Sequence, residues 1–143
     1  MGIFSKKEKK SEVKSSYNEE NEINLFDVDI HSEAFLEKVR ELKDVNKKFQ
    51  KGFNLLHFAC EYHNIQLAKE LLERNIAIEE KNIHGNTPLW IAVFNSKENY
   101  EMVDLLMLHH ANPNSVNNAG NTPLKLAESF GDELLIRRLK PTG

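Results

Sequence analysis

The sequence predicts an all-α fold built from about three helix–turn–helix repeats, with one further helix ahead of them. Three observations carry this expectation. A short phrase recurs three times at a period near 33 residues. Each recurrence opens on a helix-start signal and runs into an apolar stripe at helical spacing. The 143 residues, 40% apolar and 29% charged, suit a single folded domain.

Residues 1–24 are rich in Lys, Glu, Ser and Asn and poor in apolar side chains. Such a stretch cannot bury enough surface to offset its ordering entropy, so a disordered charged tail is expected. Lys6, Lys7, Lys9 and Lys10 read as solvated charge; the other reading is a weak contact with anionic lipid, aided by Ile3 and Phe4. Residues 25–50 read as a linker followed by a helix. Phe35, Leu36, Val39 and Leu42 fall at helical spacing, Ser32 suits the N-cap and Glu33 the first turn, which predicts a helix over His31 to Leu42.

The repeats follow, over 51–81, 82–116 and 117–143. Their phrases begin at Gly52, Gly85 and Gly120 and read Gly-Phe-Asn-Leu-Leu-His-Phe-Ala, Gly-Asn-Thr-Pro-Leu-Trp-Ile-Ala and Gly-Asn-Thr-Pro-Leu-Lys-Leu-Ala. The glycines are 33 and then 35 residues apart, and the extra pair falls around Ser96-Lys97-Glu98-Asn99, where a loop tolerates it. Each residue type has a local reason. Glycine suits a tight turn of positive φ. Thr87 and Thr122 cap a helix, with Pro88 and Pro123 at its first position, where a missing N–H costs nothing; Asn54 takes the cap in the first copy. Second helices carry the stripes Leu67, Ala68, Leu71, Leu72; then Met102, Val103, Leu106, Met107; then Leu134, Leu135, Ile136, Leu139, the last capped by Asp132.

This pattern resembles the ankyrin repeat, with its 33-residue period and Thr-Pro-Leu-His-x-Ala signature. The links agree: His110-Ala111-Asn112-Pro113-Asn114 and Asp44-Val45-Asn46 resemble the family's connecting turns, and Asn75-Ile76-Ala77-Ile78-Glu79 is a looser version. The likeness covers about Ser32 to Leu139. The first copy lacks Thr-Pro, and Trp90 and Lys125 stand where His57 keeps the signature histidine. The resemblance implies an ankyrin-repeat solenoid with antiparallel helix pairs, β-turn fingers between repeats and an N-terminal capping helix. Lys125, Glu128, Arg137 and Arg138 suit a solvent-facing C-terminal end.

The family binds proteins with its concave face, made of finger tips and the exposed side of the first helices. By register the tips are Gln50, Lys51 and Phe53; Ile83, His84 and Asn86; Asn118, Ala119 and Asn121. The outward helix positions are Glu61 and Tyr62; Phe94 and Asn95; Ser129 and Phe130, with Trp90 beside the Phe94 column. The partner-binding set is therefore Phe53, Tyr62, His84, Asn86, Trp90, Phe94, Asn95, Asn121 and Phe130. Aromatics dominate hot spots at protein interfaces. The competing reading makes these rings core, Phe130 a cover for the last helix pair, and His84 and Asn86 shapers of the turn.

Other functions fit less well. A net charge of −3 declares no nucleic-acid surface. No apolar run approaches the ~20 residues that span a bilayer, and the N-terminus lacks the apolar core of a secretory signal. Met1-Gly2 is followed by Lys6 where myristoylation wants Ser or Thr. The lone Cys60 forms no internal disulfide, which fits a reducing, cytoplasmic setting. His57, Cys60 and His63 share metal-ligand spacing, but the resemblance gives His57 a turn-supporting role. No nucleophile–base set or phosphate loop is present. No enzyme activity and no cofactor is expected, and the free protein is expected to be a monomer.

In size, and in the phrasing from Gly85 to Asn95, the chain resembles small stand-alone bacterial ankyrin proteins that act as immunity proteins against polymorphic toxins. That implies a toxin or effector domain as partner, bound by occlusion. The alternative is a generic adaptor or scaffold subunit.

Overall fold

In the computed structural model, which describes residues 25–140, seven α-helices form and no strand does among those residues. The expected charged tail, 1–24, lies outside them. Helix α1 spans Glu33–Arg40. Three pairs follow: α2 (Leu55–Glu61) with α3 (Ile65–Glu73), α4 (Pro88–Phe94) with α5 (Glu101–Leu108), and α6 (Pro123–Phe130) with α7 (Glu133–Leu139).

Side chains fix nearly every helix start. Oxygens of Ser32, Asn54, Asn64, Thr87, Thr122 and Asp132 accept the N–H three residues on, at 2.9–3.4 Å. Each satisfies a donor that the first helical turn leaves open. Pro88 and Pro123 occupy first positions, as the sequence predicts. Helix α5 differs: Tyr100 stands at its N-cap, and Asn99 Oδ1 accepts from Glu101 N at 3.3 Å instead.

Helix α1 is shorter than the predicted His31–Leu42 because both ends are satisfied early. Ser32 is already the cap, and at the other end the Arg74 guanidinium donates to the carbonyls of Val39 and Leu42 at 2.9 and 2.7 Å. Among the described residues α1 has no paired helix, and a short 3-10 turn at Leu25–Asp27 packs against it. Leu25 is buried there, and the Phe26 ring lies 5.3–6.0 Å from those of Phe35, Phe49 and Phe58.

The inner helices α2, α4 and α6 stack in sequence, and α3, α5 and α7 back them. One continuous core runs through the stack, from Leu55, Leu56 and Ala59 through Leu67, Leu71, Leu89 and Val93 to Leu106, Ala127, Leu135 and Leu139. One stripe assignment needs correction. Met107 is half-buried and packs against the core, but Leu134 is 55% exposed. At about 100° per residue, Leu134, Leu135 and Ile136 cannot share one face; the core keeps Leu135, Ile136 and Leu139 and turns Leu134 out.

Between helix pairs the chain makes tight fingers, closed by N–H to carbonyl bonds Phe49–Phe53, Asn82–Asn86 and Asn117–Asn121 of 2.7–3.0 Å. The Asn82 and Asn117 carboxamides each accept two further N–H groups within their own finger. Neighbouring fingers are bonded in a repeating register: Ile83 N donates to Lys51 O, and Asn118 N to His84 O, both at 3.0 Å. Gly85 shows why glycine is needed. Its φ is +78°, and a Cβ would come within 2.5 Å of Asn118 Oδ1 and 2.8 Å of Asn118 N.

The two extra residues of the second repeat lie where the sequence places them, in the turn between α4 and α5. Lys97 and Glu98 adopt φ of +41° and +69° there. The turn delivers Tyr100, whose hydroxyl donates to the Asp132 carboxylate, 2.8 and 2.9 Å from its two oxygens. Arg138 covers the Tyr100 ring at 4.6 Å. The lengthened loop thereby ties the last repeat to the middle one.

Candidate partner-binding groove

His57 shows how helix and finger are locked together. Its Nδ1 accepts from Asn54 N at 3.0 Å, which leaves the proton on Nε2, 2.9 Å from the Asn86 carbonyl that accepts it. The ring is fully buried, and burial pushes its pKa below the ordinary histidine value. A neutral imidazole thus spans from the cap of α2 to the second finger. At the equivalent places Trp90 and Lys125 make no such bridge, and their side chains reach solvent.

Freed from that task, Trp90 lines an open groove of about 440 Å³ with Phe53, Glu61, His84, Phe94 and Asn95. An adjoining hollow of about 300 Å³ shares Phe53, Glu61 and His84 and adds Lys51, Phe58 and Tyr62. Phe94 is 59% exposed and Trp90 half-buried, so the groove offers aromatic surface to solvent. A third hollow, of about 800 Å³, lies beyond Phe94 toward Phe130, Leu134 and the lengthened loop.

The structure therefore brings Phe53, His84, Asn86, Trp90, Phe94 and Asn95 to one groove and Tyr62 to its extension. Phe130 lies apart, facing the third hollow. Asn86 has its side-chain oxygen engaged by Asn117 Nδ2 at 2.8 Å, and Asn95 Nδ2 donates to Ile91 O at 3.0 Å. Asn121 lines none of these hollows and spends its oxygen on Thr122 N. Reading by register placed Glu61 outward but gave it no role; it lines both connected hollows. Phe58 was missed because its half-buried ring belongs to the Phe26–Phe49 cluster, which only the fold assembles.

The His57, Cys60 and His63 spacing does not build a metal centre. Burial holds the Cys60 thiol well above its ordinary range, so it is protonated. Among the described residues no group of three or more His, Cys, Asp or Glu side chains is placed to hold a metal ion. No helix among them is long and apolar enough to cross a membrane.

Finger, inner helix and groove define the class: a helical repeat solenoid that presents an open groove. The family model described as ankyrin repeats, three copies, matches residues 30–117. The chain belongs to the ankyrin-repeat family. It is 35% identical over 113 residues to an ankyrin repeat protein of Fowlpox virus, covering 73% of this chain and 33% of that one. It is 41% identical over 75 residues to ankyrin repeat domain-containing protein 13C of Danio rerio, covering 52% and 14%. It is 34% identical over 89 residues to the ankyrin repeat protein YahD of Escherichia coli, covering 59% and 44%. The chain thus spans less than half the length of each of these relatives. Ankyrin repeats generally mediate protein–protein interaction and are typically non-catalytic.

Proposed function

We propose that this chain binds a protein partner in the groove lined by Phe53, Trp90 and Phe94, and that it acts as an inhibitor of a toxin or effector. The observation that carries the reading is the convergence of those rings, with His84 and Asn95, in one solvent-open hollow beneath bonded fingers. Inhibition follows by occlusion: the aromatic patch seats in or beside the partner's active site, and finger residues set specificity. A few buried aromatic anchors sealed by polar contacts supply most of the affinity at such interfaces.

The second reading is an adaptor or scaffold subunit. It is favoured by the relatives' length, since this chain matches only 33% of the Fowlpox protein. One experiment separates the two. The native complex is purified from source cells with tagged protein, and a Trp90→Ala, Phe94→Ala variant, checked by circular dichroism, is run beside it. The inhibitor reading expects a stoichiometric partner whose activity this chain blocks, lost in the folded variant. A large assembly that retains the double variant supports the scaffold and moves the interface away from the groove.

A further inference from the structure

The groove is aromatic, but it is not neutral. Glu61 lines both connected hollows, and it is the one carboxylate in either. It is exposed, and among the described residues its side chain has no ion pair and no hydrogen bond. Several other carboxylates of the stack are already engaged. Glu70 pairs with Arg40, Glu80 with Lys48, and Asp132 holds the Tyr100 hydroxyl. Lys51 lines only the outer hollow and makes no ion pair with Glu61.

A partner that covers Phe53, Trp90 and Phe94 also takes Glu61 out of water. A carboxylate buried without a counter-charge is strongly unfavourable, so an apolar occupant is rejected unless it brings a cation. The surrounding rings favour the same guest. The faces of Trp, Tyr and Phe attract cations, and a planar guanidinium both stacks on a ring and pairs with a carboxylate.

Resting on the binding role proposed above, we propose that the groove seats an arginine side chain projecting from the partner, paired with Glu61 and stacked among the Trp90, Phe94 and Phe53 rings. Glu61 then acts as the specificity residue of the groove. It attracts a basic loop and repels an acidic one.

The chain contains one tryptophan, so indole emission reports on this hollow alone. The probes are an acetylated, amidated pentapeptide with one arginine among glycines and its twin carrying citrulline, which keeps the shape without the charge. Wild type is expected to respond to the arginine peptide in Trp90 emission and in the amide shifts of Glu61, Trp90 and Phe94. It should bind the citrulline twin about five-fold more weakly, the size expected for an exposed cation–π contact plus an ion pair. Glu61→Gln, a change at an exposed side chain, is expected to fold normally by circular dichroism and to keep only the smaller, about two-fold preference that stacking on the rings supplies. Equal affinity of wild type for the two peptides overturns the proposal. So do shifts that map away from the groove, absence of any response at millimolar peptide, and a Glu61→Gln variant whose preference for arginine is as large as that of wild type. If the native complex is lost in the Trp90, Phe94 double variant yet indifferent to Glu61→Gln, the binding site stands and the arginine assignment alone falls.

Discussion

Two residues of one sequence register have parted ways. His57 is buried and bonded at both ring nitrogens, whereas Trp90, its counterpart in the next repeat, faces the groove. Trp90→Ala is therefore expected to weaken partner binding by more than about 1 kcal/mol while the stack stays folded. Isothermal calorimetry beside thermal melting tests this, and a matching loss of stability would make Trp90 a core residue. His57→Ala is expected to do the opposite. It leaves the Asn54 N–H and the Asn86 carbonyl short of a buried partner and costs about 1–3 kcal/mol of folding stability. The histidine also sets a pH dependence. Its folded pKa lies below the unfolded value, so the unfolded chain takes up the proton more readily. Its contribution is fully present above the ordinary histidine pKa of about 6.5 and falls as pH drops below it. Urea midpoints of wild type and His57→Gln between neutral and mildly acidic pH should converge. Parallel curves would remove His57 as the cause. Register alone indicated where both side chains sit, but only the second finger, supplied from 29 residues on, shows what His57 holds.

At the scale of elements, what was legible in the sequence was whatever the chain settles locally. Caps act over three residues and stripes over two turns, so the helix pairs and the lengthened turn stand where their signals lie. What failed to read through depends on distant partners. Leu134 looked like core because a seven-residue helix gives too few turns to fix which of two adjacent leucines faces inward. The packing of Phe26 was invisible because its neighbours Phe49 and Phe58 are remote in sequence, and Tyr100 meets Asp132 across 32 residues. The fingers offer a clean comparison. Gly85 and Gly120 share a positive φ, but only Gly85 lies against the next finger. Gly120→Ala is expected to cost about 1–2 kcal/mol, from the left-handed backbone alone. Gly85→Ala must also displace Asn118 and should cost more. Equal urea midpoints for the two variants would mean that finger stacking adds nothing.

At the scale of the whole molecule, each repeat touches only its neighbours, so stability is distributed along a line. Among the described residues the middle pair, α4 with α5, is packed from both sides, while α7 packs against neighbours on one side only. Amide exchange is expected to be slowest in α2, α4 and α5 and faster in α7, and uniform protection from α1 to α7 would argue for a single cooperative block. The groove is a property of this scale. Its aromatic rings come from the first finger and from α4, with Glu61 supplied by α2, and no single repeat contains it. The lengthened turn belongs to this scale as well. Fingers enter the inner helices at their beginnings, and the turn between α4 and α5 leaves at the far end. The repeat distance of the fingers is set by their own bonds, Ile83 to Lys51 and Asn118 to His84, so two added residues at the far end leave it untouched. For a lineage under pressure to keep its partner, codons can be gained or lost on one edge of the molecule while the reading edge stays in phase.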